Sequence, residues 1–315
     1  MHPLDYKGCI FNALKEVECM NVVEQYNLTL QIEVLKEQSA ETLARLCNLV
    51  EGSGTSDCVE LLKAYSHIVN TELYLATSIH ELDILKLELV KLENTITESL
   101  AQASHDISVV KAVKETSDVQ AIESYSSEDF DKALERTIDF LTFNKNISST
   151  HRAVILGGQS GAGKTTIHRV KMLESKGNYI VIDGDTYRAQ HPYFRELQEK
   201  YGVDSVDYTK MFAGKMVEAV IDKLSSLKYN LIIEGTLRSA AVPINTATLL
   251  KSKGYTVDFC LIATKPELSY LTTQLRYLEM LVVDPLQARA TPKGHHDGIV
   301  KSLVANITEL EQSGL

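Results

Sequence analysis

The stretch Gly158-Gln-Ser-Gly-Ala-Gly163-Lys164-Thr165 decides the fold, because it follows an apolar run at residues 153–156 and precedes a segment that can open a helix. Its glycines allow backbone N–H groups to turn toward phosphates, and the helix N-terminus adds the positive end of its dipole. In such a loop Lys164 reaches the β/γ-phosphates and the Thr165 hydroxyl ligates Mg²⁺. A Gly-rich turn with a chance Lys-Thr pair is the alternative, and it is disfavoured because strand, spacing and helix agree.

This loop predicts a site for ATP and Mg²⁺, with Thr165 as the residue that touches the metal ion. The predicted nucleotide-binding residues form one continuous run: Gly158, Gln159, Ser160, Gly161, Ala162, Gly163, Lys164, Thr165 and Thr166.

Around the loop, apolar runs of strand length alternate with helical segments. The runs lie at residues 153–156, 179–182, 231–233 and 257–262, and Ser126 can cap a helix with acidic residues in its first turn. This alternation predicts an α/β fold, a parallel sheet flanked by helices, over residues 126–315. Ligands of such sheets bind beyond the carboxyl ends of the strands.

The preceding part of the chain has the periodicity of helices. One apolar stripe predicts a first helix, a turn follows at residues 52–57, a second helix runs from Val59 to about Leu75, and a third carries another stripe. Together they predict a small all-α helical bundle over residues 1–100, joined by a linker at 101–125. The first stripe comprises Leu28, Ile32, Leu35, Leu43, Leu46 and Leu49, and the other Ile79, Leu82, Leu85, Leu89, Leu92, Ile96 and Leu100.

The net charge of −10 lies wholly in the N-terminal part. Residues 1–126 hold 9 Lys and Arg against 20 Asp and Glu, whereas residues 127–315 hold 23 against 22. An acidic bundle argues against nucleic-acid binding, which calls for a basic surface. It suits a domain that docks on a phosphate-binding cleft, although an acidic face that only aids solubility is the alternative.

The remaining composition points to a cytoplasmic protein. No apolar stretch approaches the ~20 residues of a membrane span, and no signal-peptide pattern opens the chain. The 5 cysteines are odd in number and have no C-x-x-C spacing, so we expect free thiols in a reducing compartment rather than disulfides or a metal site.

Acidic residues follow the second and third predicted strands. Asp183 and Asp185 come after residues 179–182, and Glu234 ends the run before Gly235 and Thr236. Phosphoryl transfer needs a group that orients or deprotonates the acceptor, and we favour Asp185, which lies further into the loop. Asp183 then assists near Mg²⁺ or caps a turn; a pair of acids that merely caps the next helix is the alternative.

Transferring phosphate also needs cations, and two arginines are candidates. Arg276 lies in a predicted helix at residues 270–281, and Arg289 lies in an irregular segment that could fold over the site. Guanidinium groups grip phosphate oxygens through paired N–H bonds. A single arginine is more often a surface charge, and spacing alone does not decide between the two roles.

Residues 126–315 contain four ordered motifs: Gly157-Gly-Gln-Ser-Gly-Ala-Gly-Lys-Thr-Thr166; Val181-Ile-Asp-Gly-Asp-Thr-Tyr-Arg188 with His191-Pro192; Asn230-Leu-Ile-Ile-Glu-Gly-Thr-Leu-Arg238; and Ala288-Arg-Ala-Thr-Pro-Lys293 with His296-Asp297. These motifs make this part of the chain similar to the zeta toxin family, in the PezT-like branch of epsilon–zeta toxin–antitoxin systems. Residues 28–100 also resemble part of the matching antitoxin, most clearly in Leu28-Thr-Leu-Gln-Ile-Glu-Val-Leu-Lys-Glu37 and Asn70-Thr-Glu-Leu-Tyr-Leu75.

The resemblance implies a kinase that moves the γ-phosphate of ATP to the 3′-hydroxyl of the sugar in UDP-N-acetylglucosamine, which would block peptidoglycan synthesis. It implies that Asp185 is the base, and that Arg276 and Arg289, with Lys164, stabilise the transferring phosphate. The positions that match sugar-nucleotide contacts in the family are Glu218, Glu234 and Thr236.

Two departures from the family pattern matter. Toxin and antitoxin are usually separate chains, and here both resemblances lie in one chain, so we expect the N-terminal domain to inhibit the kinase in cis. The residues before Leu28 are too few for the DNA-binding domain of related antitoxins. The alternatives are a nucleotide-sensing regulatory protein and a kinase for another small metabolite or an antibiotic.

Overall fold

The computed structural model describes residues 22–51, 56–107, 124–283, 288 and 290–315. The N-terminal part is helical, with α1 (Val22–Glu51), α2 (Ser56–His67) and α3 (Ile79–Ile107) packed on one another. A π-helical turn, Ile68–Glu72, and one further helical turn, Leu73–Leu75, continue α2. Buried residues of all three helices share one apolar cluster, which includes Leu28, Leu62 and Leu89. The predicted bundle is therefore present.

The second part alternates strands and helices, as predicted. Its elements in chain order are α4 (Ser127–Thr142), β1 (Arg152–Gly157), α5 (Lys164–Glu174), β2 (Ile180–Ile182), α6 (Phe194–Tyr201), α7 (Ser205–Ser226), β3 (Leu231–Glu234), α8 (Ala241–Ser252), β4 (Thr256–Leu261), α9 (Pro266–Val283) and α10 (Lys293–Gln312).

The four strands form one parallel sheet in the order β2-β3-β1-β4. β1 lies between β3 and β4, and the register sets Leu156 opposite Glu234 and Cys260. Because all strands run in the same direction, the loops after β1, β2 and β3 meet at one edge of the sheet. The phosphate-loop sequence, the two aspartates and Glu234 are thereby brought together.

The sheet has a different core on each face. One face packs with α4 and α7 and buries residues such as Ile155, Ile182 and Phe212. On the other face, Val154 and Leu156 pack against Met172 of α5 and against Tyr74, which comes from the N-terminal helical part. The helical part thus supplies one side chain of this second core.

Two details of the helical part differ from the sequence prediction. Leu49 is 48% exposed, and Val50 takes the buried position, because a period of 3.6 residues from Leu43 and Leu46 reaches residue 50. The π-helical turn interrupts the second helix, and apolar spacing gives no sign of such a turn. α3 continues to Ile107, so the start of the predicted linker is helical, while residues 108–123 lie outside the described part.

Among the residues that the structure describes, no helix combines the length and the apolar character that a membrane crossing requires.

Candidate active site

The phosphate loop is a braced turn between β1 and α5. Gly161 has φ +75°, and a Cβ at this position would lie 2.1 Å from the carbonyl oxygen of Ser269 on α9. Only glycine fits here, because both the conformation and the close backbone approach exclude a side chain. The buried Gln159 side chain donates to the carbonyl of Thr264 and, at 3.3 Å, to the Ser269 hydroxyl.

This bracing reaches the C-terminal helix. The Ser269 hydroxyl lies 2.8 Å from Nε2 of His296, a fully buried residue of α10. Thr264 donates from its hydroxyl to the carbonyl of Ala162 at 3.0 Å. The start of α9 and the start of α10 therefore brace the loop from behind.

Lys164 lies at the first position of α5 and is buried. Its Nζ donates to the carbonyl oxygens of Gly158 and Gln159, at 3.3 and 3.4 Å, and is 3.5 Å from Oε1 of Glu234. The ammonium group thus lies across the loop in which phosphates would bind. Thr166, the last residue of the predicted loop, begins the next helical turn with an exposed side chain.

A carboxylate from the helical part is hydrogen-bonded to the hydroxyl that was predicted to bind the metal ion. The Thr165 hydroxyl donates to Oε1 of Glu33 on α1 in a short hydrogen bond. The other oxygen of Glu33 is 3.8 Å from Nη1 of Arg276 on α9. Glu37, one turn further along α1, lies 3.9 Å from the same guanidinium nitrogen. Two acidic side chains of α1 thus face the groups predicted to hold phosphate.

A buried ion pair joins α1 to the end of β2. The Nζ of Lys36 is 2.7 Å from Oδ2 of Asp183, and both side chains are largely shielded from solvent. Burial disfavours both charges, yet the attraction of Asp183 raises the pKa of Lys36 well above its ordinary value. Burial would raise the pKa of Asp183, but Lys36 and the Asp185 N–H lower it below its ordinary value.

Asp185, the predicted base, lies at the rim of the site. Its side chain is 50% exposed and accepts a hydrogen bond from Nε of Arg188 at 2.9 Å. Asp185 and Arg188 line a small cleft whose opposite wall includes Glu37 of α1 and Met280 of α9. An acceptor molecule bound in this cleft would meet the Asp185 carboxylate.

The three residues predicted to contact a sugar nucleotide lie on two elements. Glu234 ends β3 and Thr236 is half-buried in the loop after it. Glu218 is exposed on α7, next to Val217, which packs against Gly184 between the two aspartates. The third predicted cation, Arg289, lies outside the described residues, although its neighbour Ala288 is buried with Val34 and Met280.

Glu234 and His168 are two buried titratable groups behind the phosphate loop. Burial and the nearby Asp183 raise the pKa of Glu234 to about 7, although Lys164 opposes the shift. Burial, Lys36 and Lys164 lower the pKa of His168 to about 3. His168 is therefore a neutral ring, 3.2 Å from Glu234, and the two do not form an ion pair.

Several groups at this site were not singled out by the sequence. Glu33, Lys36 and Glu37 lie on a second, polar face of α1, whereas sequence periodicity reveals only the apolar face. Their spacing of three and four residues is the signal that could have found them, but the same spacing occurs on any solvated helix.

The site fits Mg²⁺ as a hard cation with oxygen ligands. Mg²⁺ binds through one or two protein oxygens with substrate phosphates and water, so it requires no dedicated cage. The described residues contain no cluster of three or more His, Cys, Asp or Glu arranged for a metal. The Thr165 hydroxyl already contacts an anionic oxygen of Glu33, and the Asp183 carboxylate already faces a cation.

Comparisons with known proteins agree with this geometry. The zeta toxin family model matches residues 138–315, and the bacterial epsilon antitoxin model matches residues 24–99. The chain is 59% identical over 191 residues to toxin PezT of Streptococcus pneumoniae, covering 61% of this chain and 76% of that protein. It is 42% identical over 194 residues to toxin zeta of Streptococcus pyogenes, covering 62% and 68%.

A solved structure from the PezAT chromosomal toxin–antitoxin system of Streptococcus pneumoniae is also similar. The TM-score is 0.57 at 56% sequence identity, and the match covers 61% of this chain and 76% of that chain. The family model, the relatives and the similar structure all indicate the same family. The chain belongs to the zeta toxin family, and it carries an epsilon-antitoxin-type helical region in the same polypeptide.

Proposed function

We propose that this chain is an ATP-dependent kinase of UDP-N-acetylglucosamine that its own helical region, residues 22–107, holds inactive. The transferred group is the γ-phosphate of ATP, and the acceptor is the 3′-hydroxyl of the sugar. Family membership and the phosphate loop support phosphoryl transfer. The acceptor rests on the family resemblance, and phosphorylating it would withdraw a precursor of peptidoglycan.

One observation carries the inhibition: the Glu33 carboxylate of α1 is bound to the Thr165 hydroxyl. A carboxylate at the N-terminus of a phosphate-binding helix takes the place of a phosphate oxygen. Glu33 and Glu37 also face Arg276, so α1 engages a cation that would otherwise meet the transferring phosphate. ATP and α1 therefore compete for the same groups.

In the released kinase each residue has a role that its position supports. Lys164 and Arg276 would bind phosphate oxygens and offset the charge that spreads over them during transfer. Asp185 would accept the proton of the attacking hydroxyl, because its carboxylate is half-exposed and faces the space that α1 vacates. Glu234 and Thr236, after β3, and Glu218, on α7, would orient the sugar nucleotide.

Mg²⁺ would be held by Thr165, with the phosphates of ATP and water as its other ligands. When bound, it would neutralise negative charge on the β- and γ-phosphates. Asp183 is available to the same cation once Lys36 has withdrawn, because the two form a pair only while α1 is docked.

The test is a charge reversal within the full chain, Glu33→Lys, which sets two cations against each other at Arg276 and removes the partner of Thr165. Deleting the helical region is a weaker test, because it also removes Tyr74 from the core of the kinase. Losing one partner of a buried charged contact costs more than ~1.4 kcal/mol, so we expect at least about tenfold faster phosphorylation. The product is weighed after incubation with ATP, Mg²⁺ and UDP-N-acetylglucosamine.

Glu24→Lys is the matched control, because Glu24 is exposed in the first turn of the same helix. The Glu24→Lys variant should form the product at the wild-type rate. Asp185→Asn, added to Glu33→Lys, should abolish product formation. Equal rates in wild type and Glu33→Lys would contradict inhibition in cis. ATP binding without turnover would favour a nucleotide-sensing regulatory protein, and turnover only on another acceptor would favour a different kinase.

A further inference from the structure

The helical region touches the kinase at a second place, which extends from one face of the sheet to the turn after α5. There Tyr74 is 1% exposed and packs among Val154, Leu156 and Met172 on one face of the sheet. Its ring also meets the ring of His168 edge-on, with centroids 5.6 Å apart. A side chain buried to this degree in a neighbouring core contributes far more to docking than an exposed contact does.

The residues flanking Tyr74 also fit the kinase closely. Gly177, in the turn after α5, has φ +80°, and a Cβ at this position would lie 2.9 Å from Cγ2 of Thr71 and 3.5 Å from Cδ1 of Leu75. Arg169 of α5 donates to the carbonyl of Ala76 at 2.6 Å. The missing side chain of Gly177 is therefore what admits the π-helical turn and the residues after it.

The Gly177 end of this second contact is spatially separate from the chemistry, whereas Tyr74 lies near it, with its ring centroid 5.5 Å from Nζ of Lys36. Lys164 and Thr165 begin α5, whereas Gly177 follows its end, and an 11-residue helix spans roughly 16 Å. The contacts also differ in kind. Glu33, Lys36 and Glu37 at the phosphate loop are charged, whereas Tyr74 and Leu75 present apolar groups to the kinase.

We propose that residues 71–76 are an anchor, which holds the helical region on the kinase, and that Gly177 is the specificity-determining residue that admits this anchor. The charged residues of α1 then act as a plug, which blocks the phosphate loop but contributes less to holding the two parts together. This proposal rests on the proposed inhibition in cis, and it adds that binding and blocking are separable.

The test begins with the full chain carrying a protease site within residues 108–123, which is cut after folding. The dissociation constant of the two pieces is then measured by titration and size-exclusion chromatography, a readout independent of kinase activity. Gly177→Ala should raise this constant at least about tenfold, because the new Cβ meets Thr71. Adding Thr71→Ser, which removes the Cγ2 methyl group, should return it to within about threefold of wild type.

Gly254→Ala is the matched control. Gly254 has φ +82° in the turn after α8, and a Cβ there would meet nothing within 4 Å. Gly254→Ala therefore brings the same backbone strain as Gly177→Ala but no clash. Its dissociation constant should stay at the wild-type value. Unchanged association in Gly177→Ala, or equal loss in both glycine variants, would overturn the anchor.

The plug variant Glu33→Lys separates the two proposals. It should raise the dissociation constant less than Gly177→Ala does, because the anchor remains, and a larger rise would overturn the division into anchor and plug. If Gly177→Ala separates the pieces and no kinase activity appears, the anchor stands and the proposed function fails.

Discussion

At the scale of single residues, Lys36 accounts for much of the electrostatics of the inhibited site. It pairs with Asp183, it lowers the pKa of His168, and it opposes the rise in the pKa of Glu234. Withdrawal of α1 would remove this cation from Asp183. The same event that frees the phosphate loop would therefore free the Asp183 carboxylate.

His191 offers a test of folding against pH. It is 2% exposed, its Nδ1 accepts a hydrogen bond from the Tyr193 N–H at 3.2 Å, and burial lowers its pKa to about 4. Below about pH 6.5 the His191 side chain binds a proton in the unfolded chain but stays neutral in the folded chain. The free energy of unfolding therefore falls as pH drops from about 6.5 to about 4.

His191→Asn keeps an acceptor for Tyr193 and removes this titration. We expect the variant to take up as much as one proton less than wild type when it unfolds between pH 4 and 6.5. Its free energy of unfolding should therefore fall less steeply with acid. Urea unfolding measured across this range tests the prediction. An unchanged slope would mean that His191 is not kept neutral by the fold.

At the scale of elements, α1 is buried on two sides. Leu28, Ile32 and Leu46 face the helical core, whereas Glu33 and Lys36 face the kinase. A helix with one apolar face usually leaves its polar face in water. Here the polar face contacts the phosphate loop and the end of β2, so the acidic excess of the helical part does not lie entirely in solvent.

Helix α4 begins as the sequence predicted, with Ser126 as its N-cap. The Ser126 hydroxyl accepts from the Asp129 N–H at 3.0 Å, and the Asp129 carboxylate accepts from the Ser126 N–H at 3.2 Å. Ser126→Ala should lower the free energy of unfolding by ~1 kcal/mol, because the Asp129 N–H loses its side-chain acceptor while the backbone N–H of residue 126 keeps the Asp129 carboxylate.

Ser127→Ala is the control for this cap, since Ser127 is exposed in the first turn of the same helix. It should change the free energy of unfolding by less than ~0.5 kcal/mol. Denaturant titration of both variants at one pH measures the difference. Equal losses would remove the capping box as the cause.

At the scale of the whole molecule, the proposed function has ATP and the helical region compete for one set of groups, so each would weaken the binding of the other by the same factor. We expect ATP with Mg²⁺ to speed hydrogen exchange at the amides of α1 in the full chain. AMP is the matched ligand control, because it lacks the β- and γ-phosphates that compete with Glu33. Exchange that is unaffected by ATP would contradict this competition.

The tertiary structure also shows why the two parts are not independent units. Tyr74 completes one core of the kinase, and Phe140 of α4 packs in return against the core of the helical part. Each part therefore covers apolar surface of the other. Truncation at residue 125 would remove the proposed inhibitor and expose part of a core at the same time.

The sequence by itself determined the local elements and the chemistry of the loop. Apolar runs of strand length and stripes of helical period gave the four strands and the three N-terminal helices, because burial imposes those periods on the chain. The Gly-rich spacing before Lys164 and Thr165 identified the phosphate loop for a similar reason, since the backbone turn itself requires glycine at positions such as Gly161.

Only the tertiary structure decided what covers that loop. The contacts of Glu33 with Thr165 and of Lys36 with Asp183 join residues more than a hundred positions apart, and no local period encodes them. The close packing of Thr71 against Gly177 likewise depends on the shapes of two segments that are distant in the sequence. Docking depends on which faces meet after folding, and a linear pattern shows a face but does not show its partner.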